Sequence, residues 1–251
     1  MVGKPLPAPS IGRGKYYGGL LGGDGCIYGV PQCADGILKI DPATQEVTTF
    51  GAVPGGWKWH GGVVAEDGTI WGIPSNSDEV LRIDPFNEEL SMLPFDYACH
   101  HRADGKYKYL GAVLAGDGCI YCIPSDADRV LKIDPVSRRC VEIGESLSGR
   151  VSRDRSKWQN GFLGRDGCVY GIPLHADAVL RVDPMTDEVS TLSISSGASG
   201  AAADGLVGFE KWEGGVTTED GTMFAMPLNS KHVLQIVAGD SSADDAIANA
   251  G

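Results

Sequence analysis

The sequence predicts an all-β protein, a five-bladed β-propeller of four-stranded antiparallel blades. Three observations predict it. One block recurs five times, with its Asp-Gly pair at Asp24, Asp67, Asp117, Asp166 and Asp220, at spacings of 43, 50, 49 and 54 residues. Each block is filled with short apolar runs and turn residues, and a period of that length marks a propeller or a related array. No long 3.6-residue apolar period with helix caps interrupts them.

The blocks start near residues 15, 58, 108, 157 and 211, each with a lysine and an aromatic. The pairs are Lys15-Tyr16, Lys58-Trp59, Lys108-Tyr109, Lys157-Trp158 and Lys211-Trp212. One position later come two small residues, such as Gly61-Gly62 and Gly214-Gly215, which let neighbouring backbone approach closely. A short strand leads into the Asp-Gly turn, a strong hairpin signal because glycine accepts positive φ. The second strand, as in Ile70-Trp71-Gly72-Ile73, is apolar on both faces and predicts burial between two packed layers. Proline ends it at Pro31, Pro74, Pro124, Pro173 and Pro227, because proline cannot donate to a ladder. After a polar loop, a third strand such as Val130-Leu131-Lys132-Ile133 closes on Asp-Pro, which suits the opening of a type I turn. A short fourth strand follows, as in Glu46-Val47-Thr48-Thr49-Phe50.

The fifth block stops after its third strand, Val233-Leu234-Gln235-Ile236-Val237. Unpaired edges are usually avoided, so the N-terminal segment around Ser10-Ile11-Gly12 is expected to supply the missing strand and close the ring. The domain expected is a single propeller over residues 1–238, with 239–251 a mobile acidic tail poor in anything to bury.

Bulk properties narrow the function. Hydrophobic residues make up 42% and charged residues 22%, as in a globular protein. The net charge of −12 is opposite to that of a general nucleic-acid binder, so no nucleic-acid partner is expected. No apolar run approaches a membrane span, and Met1–Ser10 has no signal-like apolar region. Of seven cysteines, Cys26, Cys119 and Cys168 share one repeat position with Thr69 and Thr222. A residue interchangeable with threonine is a small packing residue, so a reduced, intracellular setting is favoured. Cys119-x-x-Cys122 has no second cysteine pair to complete a zinc site. His100-His101 has no identifiable third ligand.

The motif Lys-Trp-x-Gly-Gly, Asp-Gly-x-Ile-Tyr-Gly-Ile-Pro, Val-Leu-x-Ile-Asp-Pro spans roughly Lys15 to Val237. It resembles the repeat of a group of uncharacterised propeller-like proteins, many from algae and other protists. More distantly it is similar to kelch, gluconolactonase-like and tachylectin-type propellers. The kelch double glycine stands at Gly18-Gly19, Gly61-Gly62 and Gly214-Gly215, without the later kelch tyrosine and tryptophan at their usual spacing.

That resemblance implies that the loop between strands two and three shares a face with the connection into the next first strand. Lys58, Trp59, Asn76 and Asp78, with Asp128, His175 and Asp177 in equivalent loops, would gather there. The connections vary in length, as on a binding face. The five Lys-aromatic pairs offer ammonium groups and flat rings for a ligand, although a feature kept in every blade more often serves the fold. The leading expectation is a non-enzymatic binding module, monomeric and free of cofactors, for a protein partner or small ligand. Two alternatives stand beside it. One is a calcium-dependent gluconolactonase-like hydrolase, with Asn76, Asp78, Asp128 and Asp177 offering oxygens at the axis. The other is a multivalent lectin with one site per blade.

Overall fold

In the computed structural model of the protein, residues 2–95, 103–194, 210–238 and 248–250 are described. Blade 1 is β1 (Tyr16–Leu21), β2 (Ile27–Pro31), β3 (Ile37–Ile40) and β4 (Val47–Phe50). Blade 2 is β5 (Trp59–Val64), β6 (Ile70–Pro74), β7 (Glu79–Asp84) and β8 (Glu89–Pro94). Blade 3 is β9 (Tyr109–Leu114), β10 (Ile120–Pro124), β11 (Val130–Asp134) and β12 (Arg139–Ile143). Blade 4 is β13 (Trp158–Leu163), β14 (Val169–Pro173), β15 (Ala178–Asp183) and β16 (Glu188–Ser193). Blade 5 is built on β17 (Trp212–Thr217), β18 (Met223–Pro227) and β19 (Val233–Ile236), with a three-residue stretch, β20 (Ala248–Ala250), paired along β19. Every sheet is an antiparallel meander in chain order. Among the described residues there is no helix, hence none long and apolar enough to cross a membrane.

Local chemistry explains the meander. Each Asp-Gly aspartate accepts the N–H two residues on, as Asp67 does from Thr69 at 2.9 Å and Asp166 from Cys168 at 3.1 Å. That carboxylate also receives the hydroxyl of the second-strand tyrosine, at 2.8 Å for Tyr28–Asp24, Tyr121–Asp117 and Tyr170–Asp166. The turn therefore anchors the large side chain that the next blade packs on. The Asp-Pro aspartates cap the second hairpin in the same way, Asp134 accepting from Val136 at 2.9 Å and Asp183 from Met185 at 2.9 Å.

The core lies between blades. One face of each second strand carries the bulky set, and the next blade presents glycine or another small residue to it. A Cβ on Gly161 would meet Ile123 and Val113 of blade 3 at 3.2 Å, so only glycine fits that approach. Four clusters result, joining blades 1 and 2 around Tyr28 and Trp59, 2 and 3 around Trp71 and Tyr109, 3 and 4 around Tyr121 and Trp158, and 4 and 5 around Tyr170 and Trp212. No cluster of described residues joins blade 5 to blade 1. The face that blade 5 would present there exposes Val216 and Met226, and the face of blade 1 exposes Leu21 and Ile27.

The N-terminal segment does not close the ring as the sequence led us to expect. It forms no strand and lies along blade 1, where Ser10 gives its N–H and hydroxyl to the Asp35 carboxylate at 3.0 and 2.6 Å. Gly3 sits against Val47 of β4. Two physical reasons apply. Pro5, Pro7 and Pro9 have no N–H to offer a ladder, and Asp35 gives Ser10 a better acceptor. At the other end, 248–250 takes the place beside β19, while 239–247 of the expected tail lies outside the described residues.

Trp158, wholly buried in the cluster between blades 3 and 4, should cost about 3–5 kcal/mol when changed to alanine. Val136→Ala, at a turn residue 94% exposed, should stay within about 0.5 kcal/mol of wild type. Urea denaturation of both variants checks the contrast.

Candidate functional site

The first strands of successive blades lie against one another, β1 on β5, β5 on β9, β9 on β13 and β13 on β17. Each enters through a residue in the left-handed region, namely Gly14, Trp57, Tyr107, Ser156 or Glu210. The lysine comes next. Lys58, Lys108, Lys157 and Lys211 are buried. Lys58 Nζ donates to the carbonyls of Ala34 at 3.0 Å and Gly55 at 2.6 Å. Lys157 Nζ donates to Ser125 O at 2.9 Å and Ala127 O at 2.8 Å. Lys108 Nζ reaches the Asp78 carboxylate at 3.0 Å and Gly105 O at 2.9 Å. Lys15, half-buried, donates to Leu6 O at 2.9 Å. The amines of Lys58, Lys108 and Lys157 are thus directed into the loop of the preceding blade and the connection ahead of their own, whereas Lys211 Nζ is buried without a hydrogen-bond partner.

The aromatics that follow are core residues with tethered polar ends. Trp59 Nε1 donates to Glu79 O at 2.9 Å, Trp158 Nε1 to Ala178 O at 2.8 Å and Trp212 Nε1 to His232 O at 2.7 Å. Tyr109 is buried and its hydroxyl meets Glu142 at 3.2 Å. Tyr16, in blade 1 with no preceding blade against it, is half-buried.

The loop residues hold the connections that enter the first strands, Asn76 and Asp128 that of the next blade and His175 and Asp177 that of their own. Asn76 accepts the Tyr107 N–H at 2.8 Å, and Asp177 accepts that of Ser152 at 3.2 Å. His175 gives its backbone N–H to Ser156 O at 3.0 Å. Asp128 is buried, and its carbonyl takes the Leu147 N–H at 2.7 Å. Among the described residues no three of His, Cys, Asp and Glu gather as metal ligands. His100 and His101 lie outside the described residues.

The structure does bring Lys58, Trp59 and Asn76 together at one open place. A cleft of about 380 Å³ between blades 1 and 2 is lined by them and by Val53, Glu79 and Met92. The short connection from Phe50 to Trp57 leaves it open. Val53 and Leu147 hold equivalent places, each N–H bonded to the loop carbonyl of Asp35 or Asp128. The longer connection before Trp158 adds Val151, which is buried against that tryptophan's cluster. At the end of the short connection stands Trp57, 43% exposed and edge-on to Tyr107 at 6.3 Å. Sequence reasoning missed Trp57. Its signal was a large aromatic immediately before the repeated lysine, where the other blades carry glycine, tyrosine, serine and glutamate.

A second feature was also missed. Between the constant aromatic and the constant small pair stands a residue that differs in every blade, in order Tyr17, His60, Leu110, Gln159 and Glu213. The next residue is left-handed in all five, as glycine or as Asn160 at φ 57°. There the pairing of first and second strands slips by one residue, so that Trp59 opposes Pro74 while Gly62 opposes Gly72. Such a bulge re-aims the side chains beside it. Tyr17 stacks on His60, with centroids 3.7 Å apart, and Gln159 Nε2 donates to Glu213 Oε1 at 2.6 Å.

No protein-family model matches the chain, and no curated protein matches it in sequence. Solved structures do match it. Virginiamycin B lyase from Staphylococcus aureus, an inactive variant with quinupristin, is 16% identical, with a TM-score of 0.67 over 94% of this chain and 69% of that one. A streptogramin B lyase is 17% identical, with a TM-score of 0.65 over 94% and 70%. A 6-phosphogluconolactonase-like protein from Bacteroides uniformis is 15% identical, with a TM-score of 0.59 over 91% and 68%. At these identities the likeness shows a β-propeller-type fold and nothing of the activity.

Burial, partly opposed by Asp126, Asp128 and Asp154, lowers the Lys157 pKa to about 8 from 10.5. Between those values the unfolded chain holds a proton that the folded protein has released, so this site's contribution to stability rises with pH. Urea denaturation stepped from pH 7 to 10.5 should show wild type gaining on Lys157→Met from about pH 8 upward. Parallel pH curves would mean that the amine is not buried as described.

Proposed function

We propose that this protein is a non-enzymatic propeller module that binds a protein partner on the face where the connections enter the first strands. The cleft beside Lys58, Trp59 and Asn76, with exposed Trp57 between its lining residues Gly56 and Lys58 in sequence, carries the reading. An exposed aromatic beside an apolar recess is the usual anchor of a protein interface, because a large rigid ring leaves water at small entropic cost. Met92 and Val53 supply apolar wall, while Glu79 and Asn76 supply polar groups that would orient a guest. The Lys-aromatic pairs support this face from beneath. Their amines and rings hold the loops in place, and the residues between them, which differ from blade to blade, make the contacts.

This face should lose its partner when Trp57 is removed. Affinity capture from the source organism's extract with wild type and Trp57→Ala, compared by mass spectrometry, tests it. The account expects a partner retained by wild type and weakened by 2 kcal/mol or more, roughly thirty-fold, in the variant. Equal recovery at unchanged stability would remove this face from the function.

A further inference from the structure

The interfaces between blades are built from the same two halves. One half is a pair of bulky residues on the first and second strands, such as Leu20 with Val30 or Val113 with Ile123. The other half is the small residue of the next blade that receives them. A Cβ on Gly62 would meet Leu20 at 2.9 Å and Val30 at 3.1 Å, and one on Gly215 would meet Phe162 at 2.5 Å. The chain holds one more of each half than it joins. Val216 and Met226 of blade 5 are 59% and 42% exposed, whereas Val30, Ile73, Ile123 and Ile172 are buried at the place of Met226. Blade 1 holds the empty socket. Among the described residues, a Cβ on Gly19 would meet Ile27 of its own blade at 3.7 Å and nothing from another blade. Leu38 is half-buried where Leu81, Leu131, Leu180 and Leu234 are wholly buried.

The main chain repeats the pattern. The carbonyls of Gln32, Ser75, Ser125 and Leu174 each accept the N–H of the next blade's lysine. Leu228 stands at the fifth such place. Among the described residues its carbonyl takes no lysine N–H, and the Lys15 N–H at the other end meets no loop carbonyl. Blades 5 and 1 thus carry complementary faces that do not meet, so the space between them is wider than one interface. The fold sets its width. The lyase structures extend beyond the part matched here by a share of their length that equals roughly two more blocks of this period, and propellers hold about four to eight blades. A second copy of this chain would bring five blades into a space for two and would run into blade 1.

We propose that the space between blade 5 and blade 1 is a docking surface for a partner polypeptide that carries two further blades of this same repeat. The blade seated on blade 5 sets a small first-strand residue against Val216 and Met226, and its lysine N–H reaches Leu228 O. The blade seated on blade 1 sets bulky residues over Gly19, Ile27 and Leu38, and its loop carbonyl takes the Lys15 N–H. Both contacts continue an interface that the chain already builds between its own blades. This surface is separate from the Trp57 face and does not rest on it.

The probe is the full chain extended at its C-terminus by one, two or three copies of residues 51–94, blade 2 with its short connection, as a tethered stand-in for the partner. Urea midpoints and sedimentation are compared with those of the unextended chain. The two-copy chain should be a monomer with the highest midpoint of the four, because only there are both faces covered. Val216→Glu and Ile27→Glu should each lower that midpoint further than they lower the midpoint of the unextended chain, where both side chains are exposed. Trp57→Ala should leave the gain from two copies intact, which separates this surface from the partner face. A midpoint that does not rise from one copy to two, or that is highest with three, would overturn the proposal. So would equal effects of Val216→Glu in the two chains. Self-association of the unextended chain that Val216→Glu abolishes would also overturn it, since the occupant would then be a second copy.

Discussion

The structure depends on a relay of main-chain hydrogen bonds that passes through one lysine in every blade. The Lys58 N–H donates to Gln32 O of blade 1 at 2.9 Å, and Lys58 O accepts the Ser75 N–H at 2.9 Å. Ser75 O then takes the Lys108 N–H, and the same alternation continues through Ser125, Lys157, Leu174, Lys211 and Leu228. One lysine peptide thus joins its own second-to-third-strand loop to the loop of the blade before. A left-handed residue ahead of each lysine turns the chain into this position. The buried ammonium of Lys58 or Lys157 adds bonds to carbonyls of the same loops, Ala34 for the one and Ser125 and Ala127 for the other.

Side-chain packing follows from that fixed spacing. With first strands held close, a blade can meet its neighbour only if one side is small, hence glycine opposite Val113, Phe162 and their equivalents. The aromatic after the lysine then enters the inter-blade cluster, and its indole N–H or hydroxyl finds a partner at the rim. The two outermost faces repeat the same halves without a partner. Val216 and Met226 are exposed where Val113 and Ile123 are buried, and Ile27 is exposed where Ile120 is buried.

Much of this architecture was legible because it is local. An Asp-Gly turn, a proline stop and an Asp-Pro turn each act over a few residues, and each stands where the sequence placed it. The position of the Lys-aromatic pairs was legible too. The direction of their amines was not, because Ala34, Gly55, Ser125 and Ala127 accept through carbonyls that carry no mark in the sequence. The end of the chain was misread for a related reason. A short edge strand has little apolar pattern, so Ser10–Gly12 and Ala248–Ala250 compete on equal terms until Asp35 captures Ser10. The variable first-strand position was legible in principle. Repeat analysis looks for what recurs, whereas Tyr17, His60, Leu110, Gln159 and Glu213 are informative because they do not.

Native-state hydrogen exchange of the lysine amides tests the relay most directly. If it is the constraint on which the blades depend, the amides of Lys58, Lys108 and Lys157 exchange only with global unfolding, at the free energy that urea denaturation gives. Exchange of these three amides as fast as that of the Met185 turn amide, with the protein still folded, would contradict it, because the blades would then stay together without those bonds.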